Sequence, residues 1–113
     1  MGSQRRLPDA FFQILVSVAD QERHGYAIMQ DVLARTDGQL KLSPGTLYGS
    51  IKRLLEDGLI EELDERPDPV WDDTRRRYYR ITPFGFAVAR AEARRLTQMV
   101  KLARARGIAP ERT

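Results

Sequence analysis

The sequence predicts a mainly α chain with one small β-hairpin (α+β). Three observations lead there. Apolar residues recur at three- and four-residue spacing in four separate segments, the pattern of helices that bury one stripe. Two of those segments open on a hydroxyl residue followed by proline, at Ser43–Pro44 and Thr82–Pro83, which suits a helix N-cap and its first helical position. Between them, "LIEELDER" and "RRRYYRIT" alternate with the two-residue period of strands, separated by the proline- and aspartate-rich "PDPVWDD".

Asp9 is placed to cap a first helix from Ala10 to about Asp20, with Pro8 marking its boundary. Phe11, Ile14, Leu15 and Val18 form one apolar stripe and Phe12, Val16 and Ala19 a second beside it. A surface helix of a small domain needs only one stripe. Two readings stand: a helix covered by its own domain and by another subunit, or the central helix of a monomeric core. A second helix runs from about Tyr26 to Arg35, with Ile28, Met29, Val32 and Leu33 buried and Gly38 as its stop. The third starts at the Ser43 cap and ends near Gly58. The hairpin follows, with Arg77, Tyr79 and Ile81 on one face of its second strand and Arg76, Tyr78 and Arg80 on the other. Thr82 then caps a last helix that extends to about Arg106, longer than a domain of this size requires. Its stripe of Phe84, Val88, Ala91, Met99 and Leu102 is interrupted by Arg95, with Leu96 and Ala103 alongside. Such a helix, with little of its own domain left to cover it, is expected to pack on a partner. The order helix, helix, helix, strand, strand, helix is that of a winged helix-turn-helix: residues 1–82 make the DNA-binding unit and 83–113 a dimerisation helix and tail.

Composition narrows the function. A chain of 113 residues is one domain's worth, and 42% hydrophobic with 31% charged residues indicates a folded protein with a charged surface. With no cysteine, disulfides, thiolate metal sites and cysteine nucleophiles are excluded. The longest apolar stretch, Ala10 to Ala19, is too short to cross a bilayer, so a cytoplasmic protein is expected. No acid and base stand at a catalytic spacing, no phosphate-binding glycine motif appears, and neither catalytic residue, metal nor cofactor is expected. The net charge of +3 says little, but its distribution says more. From Glu61 to Thr74 seven acids oppose one arginine, whereas Arg75 to Arg80 holds four arginines and no acid.

Helical phase puts Leu47, Ile51, Leu54 and Leu55 on the buried side of the third helix. Opposite them lie Gly45, Gly49, Lys52 and Glu56, flanked by Thr46, Tyr48 and Arg53. That outer side is small near its N-terminus and cationic farther on. Small residues admit close approach to base edges or phosphates. Ser43 and Thr46 can bond either, Tyr48 can bond a phosphate, and Lys52 and Arg53 can meet phosphates or guanine acceptors. The plainer reading is helix packing at the glycines and an ordinary solvated face. Arg75, Arg76 and Arg77 start the returning strand, where a wing meets a neighbouring groove or backbone. The same arginines can instead guard an exposed edge, or pair with the acids of the preceding strand. Trp71 in the loop either packs it down or meets a partner. His24 reads as a hydrogen-bonded residue at a helix start.

"ILVSVADQERHGYAIMQDV", "LSPGTLYGSIKRLLEDGLIEE" and "RRRYYRITPFGFAVA", in this order, resemble the PadR family of bacterial transcriptional regulators, over roughly Leu7 to Arg106. The resemblance implies a homodimeric winged-helix repressor of the compact branch with a single C-terminal dimerisation helix, acting on a pseudo-palindromic DNA operator. It implies DNA contacts at Tyr48, Lys52 and the wing arginines, and a dimer interface on the last helix and often the first. The apolar residues expected there are Phe11, Phe12, Leu15, Val88, Ala91, Leu96, Met99 and Leu102. Some similar regulators are relieved by small-molecule effectors, but no matching effector site is identifiable in these residues. The alternative is a winged-helix protein-protein interaction module without specific DNA binding.

Overall fold

The computed structural model describes residues 7–64, 66–67 and 75–110, with backbone alone at 66, 67 and 75. Trp71 and its loop lie outside them. The chain forms α1 (Asp9–Ser17), β1 (Arg23–His24), α2 (Gly25–Arg35), α3 (Pro44–Glu56), β2 (Ile60–Glu62), β3 (Arg66–Pro67), β4 (Arg75–Arg76), β5 (Tyr78–Ile81) and α4 (Pro83–Ala105).

The helix ends show why each element begins and stops where it does. Pro8, not Asp9, occupies the N-cap of α1, and its carbonyl accepts the Phe11 and Phe12 N–H groups. Asp9 is therefore the first helical residue, where its charge complements the positive end of the helix. This helix stops about three residues short of the expected Asp20. Val18 N–H is shared between the Ile14 and Leu15 carbonyls, and the Arg23 guanidinium Nε donates to Ser17 O at 2.6 Å, closing the last turn. At α2, His24 is the cap: its Nδ1 accepts the Ala27 N–H at 3.1 Å. The other end unwinds through Asp37 and Gly38, both in the left-handed region, and Gly38 N–H reaches back to Leu33 O at 2.8 Å. Ser43 caps α3 through its hydroxyl and Pro44 follows, as the sequence predicts.

Leu47, Ile51 and Leu54 on α3 pack with Ile14, Leu15, Ile28 and Val32 of the first two helices to form the core, closed below by Leu59, Ile60 and Tyr79. A polar strap ties α1 to α2 at the rim. The Asp31 carboxylate accepts from Ser17 Oγ and Arg35 Nε, each at 2.8 Å, and Arg35 also donates to Gln13 Oε1 and O.

The sheet has one strand more than the predicted hairpin. Order β1-β5-β2 places β5 centrally, with Arg23↔Tyr79 and His24↔Tyr78 on one side and Ile60↔Ile81, Glu61↔Arg80 and Glu62↔Tyr79 on the other. A two-residue strand is too short to leave an alternating pattern, which is why β1 is invisible in the sequence. Tyr78 and Tyr79 are adjacent on β5 and so point to opposite faces, yet both are buried, so this strand is covered on both faces as well as paired along both edges. The hairpin continues outward as β3 and β4, in the register Arg66↔Arg76 and Pro67↔Arg75.

Thr82 locks α4 onto this base. Its hydroxyl donates to Gly58 O at 2.6 Å and accepts the Gly85 N–H at 2.9 Å. The first turns of α4 pack on α1, and beyond Glu92 it projects with Leu96, Met99, Val100 and Leu102 exposed. This 23-residue helix, roughly 35 Å long at 1.5 Å per residue, stretches the molecule to 54 Å along its longest axis against 24 Å along its shortest.

Candidate nucleic-acid interface

The burial of α3 follows the helical phase. Leu47, Ile51 and Leu54 are enclosed, whereas Ser43, Gly45, Thr46, Tyr48, Gly49, Lys52 and Arg53 are all exposed. A Cβ at Gly45 or Gly49 would meet nothing within 4 Å, so neither glycine serves helix packing among the described residues. The first two turns thus offer a smooth, open backbone surface. Ser43 Oγ is engaged in capping and donates to Thr46 Oγ1 at 3.1 Å, which holds both hydroxyls at the helix start. The two cations differ. Arg53 pairs with Asp57 at 3.4 Å one turn on, while Lys52 has no acid partner among the described residues.

Tyr48 projects toward the start of α2, and its ring lies against Gly25. Across from it stands the wing. The Arg76 guanidinium lies over the Tyr26 ring, 5.5 Å from the centroid. Arg77 is near Glu62 at 3.6 Å, and Arg80 bonds Glu61 at 2.8 Å. The acidic strand therefore does offset part of the arginine charge, as one reading of the sequence holds. Arg75 takes part through its backbone pairing with Pro67, its side chain lying outside the described residues. His24, Gly25, Tyr48, Arg76, Arg77 and Tyr79 enclose a pocket of about 240 Å3 between α2, α3 and the wing. Burial first, then the Glu62 carboxylate, pushes the Tyr79 phenol above its ordinary pKa, so it remains neutral there. The participation of Gly25 and Tyr26 is legible in the sequence only as the triplet "HGY". Its proximity to α3 and the wing requires the fold.

The residues expected at a subunit interface divide into three groups. Leu15 is wholly enclosed in the chain's own core, at 0% exposure, and is corrected to a core residue. It shares a stripe with Ile14 and Val18, and all three pack in the core with residues of α2 and α3. Phe11, Phe12 and Val88 are half-buried, with Phe11 and Val88 resting on that core. Ala91, Leu96, Met99 and Leu102 are exposed, the last two at 53% and 44%. Val100, Phe84 and Phe86 are exposed as well. Arg95, which interrupts the stripe, is held by both oxygens of the buried Glu92 carboxylate, at 2.6 and 3.1 Å. Among the described residues, no helix is long and apolar enough to cross a membrane.

Comparison with known proteins agrees with this architecture. The family model for PadR-like transcriptional regulators matches residues 14–91. A transcriptional regulator of Mycobacterium tuberculosis is 39% identical over 88 residues, covering 78% of this chain and 76% of that protein. An uncharacterized protein of Lysinibacillus sphaericus is 35% identical over 74 residues, covering 66% of this chain and 65% of its own length, just under two thirds. Among solved structures, a transcriptional regulator from Clostridium thermocellum superimposes with a TM-score of 0.69 at 25% identity, covering 84% of this chain and 89% of that one. A PadR family regulator from Clostridium difficile does so with a TM-score of 0.72 at 20% identity, covering 87% and 97%, a likeness of fold. With the winged helix-turn-helix order in place and the family match running from the core of α1 well into α4, the chain belongs to the PadR-like family of transcriptional regulators.

Proposed function

We propose that the protein is a homodimeric repressor that binds a pseudo-palindromic operator in double-stranded DNA, one α3 in each of two successive major grooves. The observation that carries this reading is the face of α3. Its leucines are spent on the core, while Gly45, Thr46, Tyr48, Gly49 and Lys52 stand uncovered on one continuous surface. Arg76 and Arg77 at the wing flank that surface and supply backbone contacts. Dimerisation is supported by α4, whose exposed Leu96, Met99 and Leu102 extend past the chain's own core and stay uncovered among the described residues. Repression requires only occupancy of the operator. A small-molecule effector would relieve it by favouring a dimer in which the two heads no longer match the groove spacing, because a ligand shifts an equilibrium only through differential affinity.

The test is duplex binding as a function of salt. Affinity should fall steeply as salt rises, with Lys52→Ala making the log–log slope shallower by about 0.9 per subunit, one phosphate's worth. Absence of any duplex binding at low salt, even to DNA upstream of the protein's own gene, would instead favour a winged-helix module that binds protein.

A further inference from the structure

We propose that Lys41, in the link between α2 and α3, grips one strand of the DNA backbone while Lys52 grips the other, so that the two lysines clamp α3 across the major groove. Lys41 belongs to neither α3 nor the wing. The inference rests on the DNA-binding reading above and deepens it by adding a binding residue.

The link holds Lys41 at a fixed place ahead of the helix. On one side of it the Leu40 N–H donates to Thr36 Oγ1 at 3.0 Å, and the Leu40 side chain rests on the core. On the other side Leu42 is buried at 3% exposure, and Ser43 caps α3. With both neighbours anchored inward, Lys41 is left exposed just before the first turn of α3. Little backbone freedom remains to be lost when its ammonium meets an anion, because only the side chain has still to be ordered.

Charge singles out Lys41 and Lys52 from the cations around this helix. Arg35 is held by Asp31 at 2.8 Å, and Arg53 pairs with Asp57 at 3.4 Å. Among the described residues neither Lys41 nor Lys52 has an acid partner, and Asp37, the acid nearest to Lys41 in sequence, makes no ion pair with it. An unpaired ammonium gives up no existing bond when it meets a phosphate. Distance then decides what the pair can span. Lys52 lies roughly 12 Å along the axis from Pro44 at 1.5 Å per residue, with Lys41 just outside that first turn. The major groove of B-DNA is about 12 Å wide. An α3 lying obliquely across such a groove therefore presents one ammonium to each wall. Between the lysines stand Gly45, Thr46 and Gly49, and the open space at both glycines lets the backbone settle toward the base edges.

The test uses a duplex from upstream of the protein's own gene and reads affinity against salt. Lys41→Ala and Lys52→Ala should each make the log–log slope shallower by about 0.9 per subunit, and the double variant by about 1.8, because two different phosphates are lost. Lys41→Arg keeps the charge and should keep the slope. Because Lys41 is exposed, Lys41→Ala should melt with the wild type. Uncharged methylphosphonates, placed one at a time along each strand, then locate the contacts. Within a half-site, the position that cancels the effect of Lys41→Ala should lie on the strand opposite the one that cancels Lys52→Ala. A Lys41→Ala protein with the full wild-type slope, beside a Lys52→Ala protein with a shallower one, would overturn the clamp and leave the DNA-binding reading standing. Losses that do not add, or two cancelling positions on one strand, would overturn it as well. If the wild-type protein binds no duplex at low salt, that reading falls and the clamp falls with it.

Discussion

Gly49 and Gly85 are both helical glycines, yet they meet opposite surroundings. A Cβ at Gly85 would overlap the Leu59 carbonyl, the point where α4 crosses the strand base, whereas a Cβ at Gly49 would enter open space. Gly85→Ala should therefore destabilise the fold by roughly 1–3 kcal/mol, the usual cost of overpacking. Gly49→Ala should stabilise it by about 0.5–1 kcal/mol through helix propensity, while weakening duplex binding by intruding on the proposed groove surface. Urea midpoints and duplex titrations of both variants check this, and a Gly49→Ala protein with unchanged DNA affinity would remove that position from the interface. Asp31 sets a pH dependence at the same scale. Burial raises its carboxyl pKa, but hydrogen bonds from Arg35 and Ser17 and the charges of Arg35 and Arg23 outweigh it, leaving the carboxyl below its ordinary 3.8. A depressed folded value means that the stabilisation is complete above the unfolded pKa and is lost as pH falls through the folded one. Thermal melts of Asp31→Asn should lie below wild type at neutral pH and converge with it as pH falls through the depressed folded pKa. Parallel curves at all pH values would rule out this contribution.

At the scale of elements, α4 shows two sides. Arg90, Arg94, Lys101 and Arg104 fall within one stripe by helical phase, opposite Val88, Met99 and Leu102. The cationic side faces water, and in the proposed dimer the apolar side would meet a partner helix. The Glu92–Arg95 pair sits within that apolar side, where a paired charge can set the register of two helices. Met99→Glu puts an unpaired charge there without touching the core and should turn a dimer into a monomer at micromolar concentration in sedimentation. Arg94→Glu, on the other side, should leave the sedimentation unchanged. An undisturbed Met99→Glu dimer would mean that the subunits meet elsewhere. The wing is the other element of note. Its two strands and their arginines were legible from alternation and charge. The extra strand β1 was not, because it depends on pairing between segments about 55 residues apart.

The whole molecule is a compact head with a projecting helix, 54 Å long, and a two-fold pair of such chains would carry two reading heads. Two heads matched to successive major grooves fix the distance between half-sites at one helical turn, about 10–10.5 bp. Inserting ~5 bp between the half-sites turns one to the opposite side of the duplex and should abolish tight binding. An insertion of a full turn should restore less than the original affinity if α4 holds the heads rigidly. Gel-shift titration of the three spacings checks this, and equal affinity for all would indicate independent monomers.

The sequence by itself determined the order of elements, the caps at Ser43 and Thr82, the buried side of α3 and the family, because these follow from periodicity and local chemistry along a continuous stretch. The division between core and surface on α1 was only half legible: two adjoining apolar stripes look alike until α2 and α3 are placed, and the structure encloses Leu15 while leaving Phe11 and Phe12 half-covered. The pocket beside Gly25 was decided by tertiary structure alone. Residues 25, 48 and 76 share no local pattern, and only the packing of α2 against α3 and the pairing of β1 with β5 bring a glycine, a tyrosine and an arginine to one pocket.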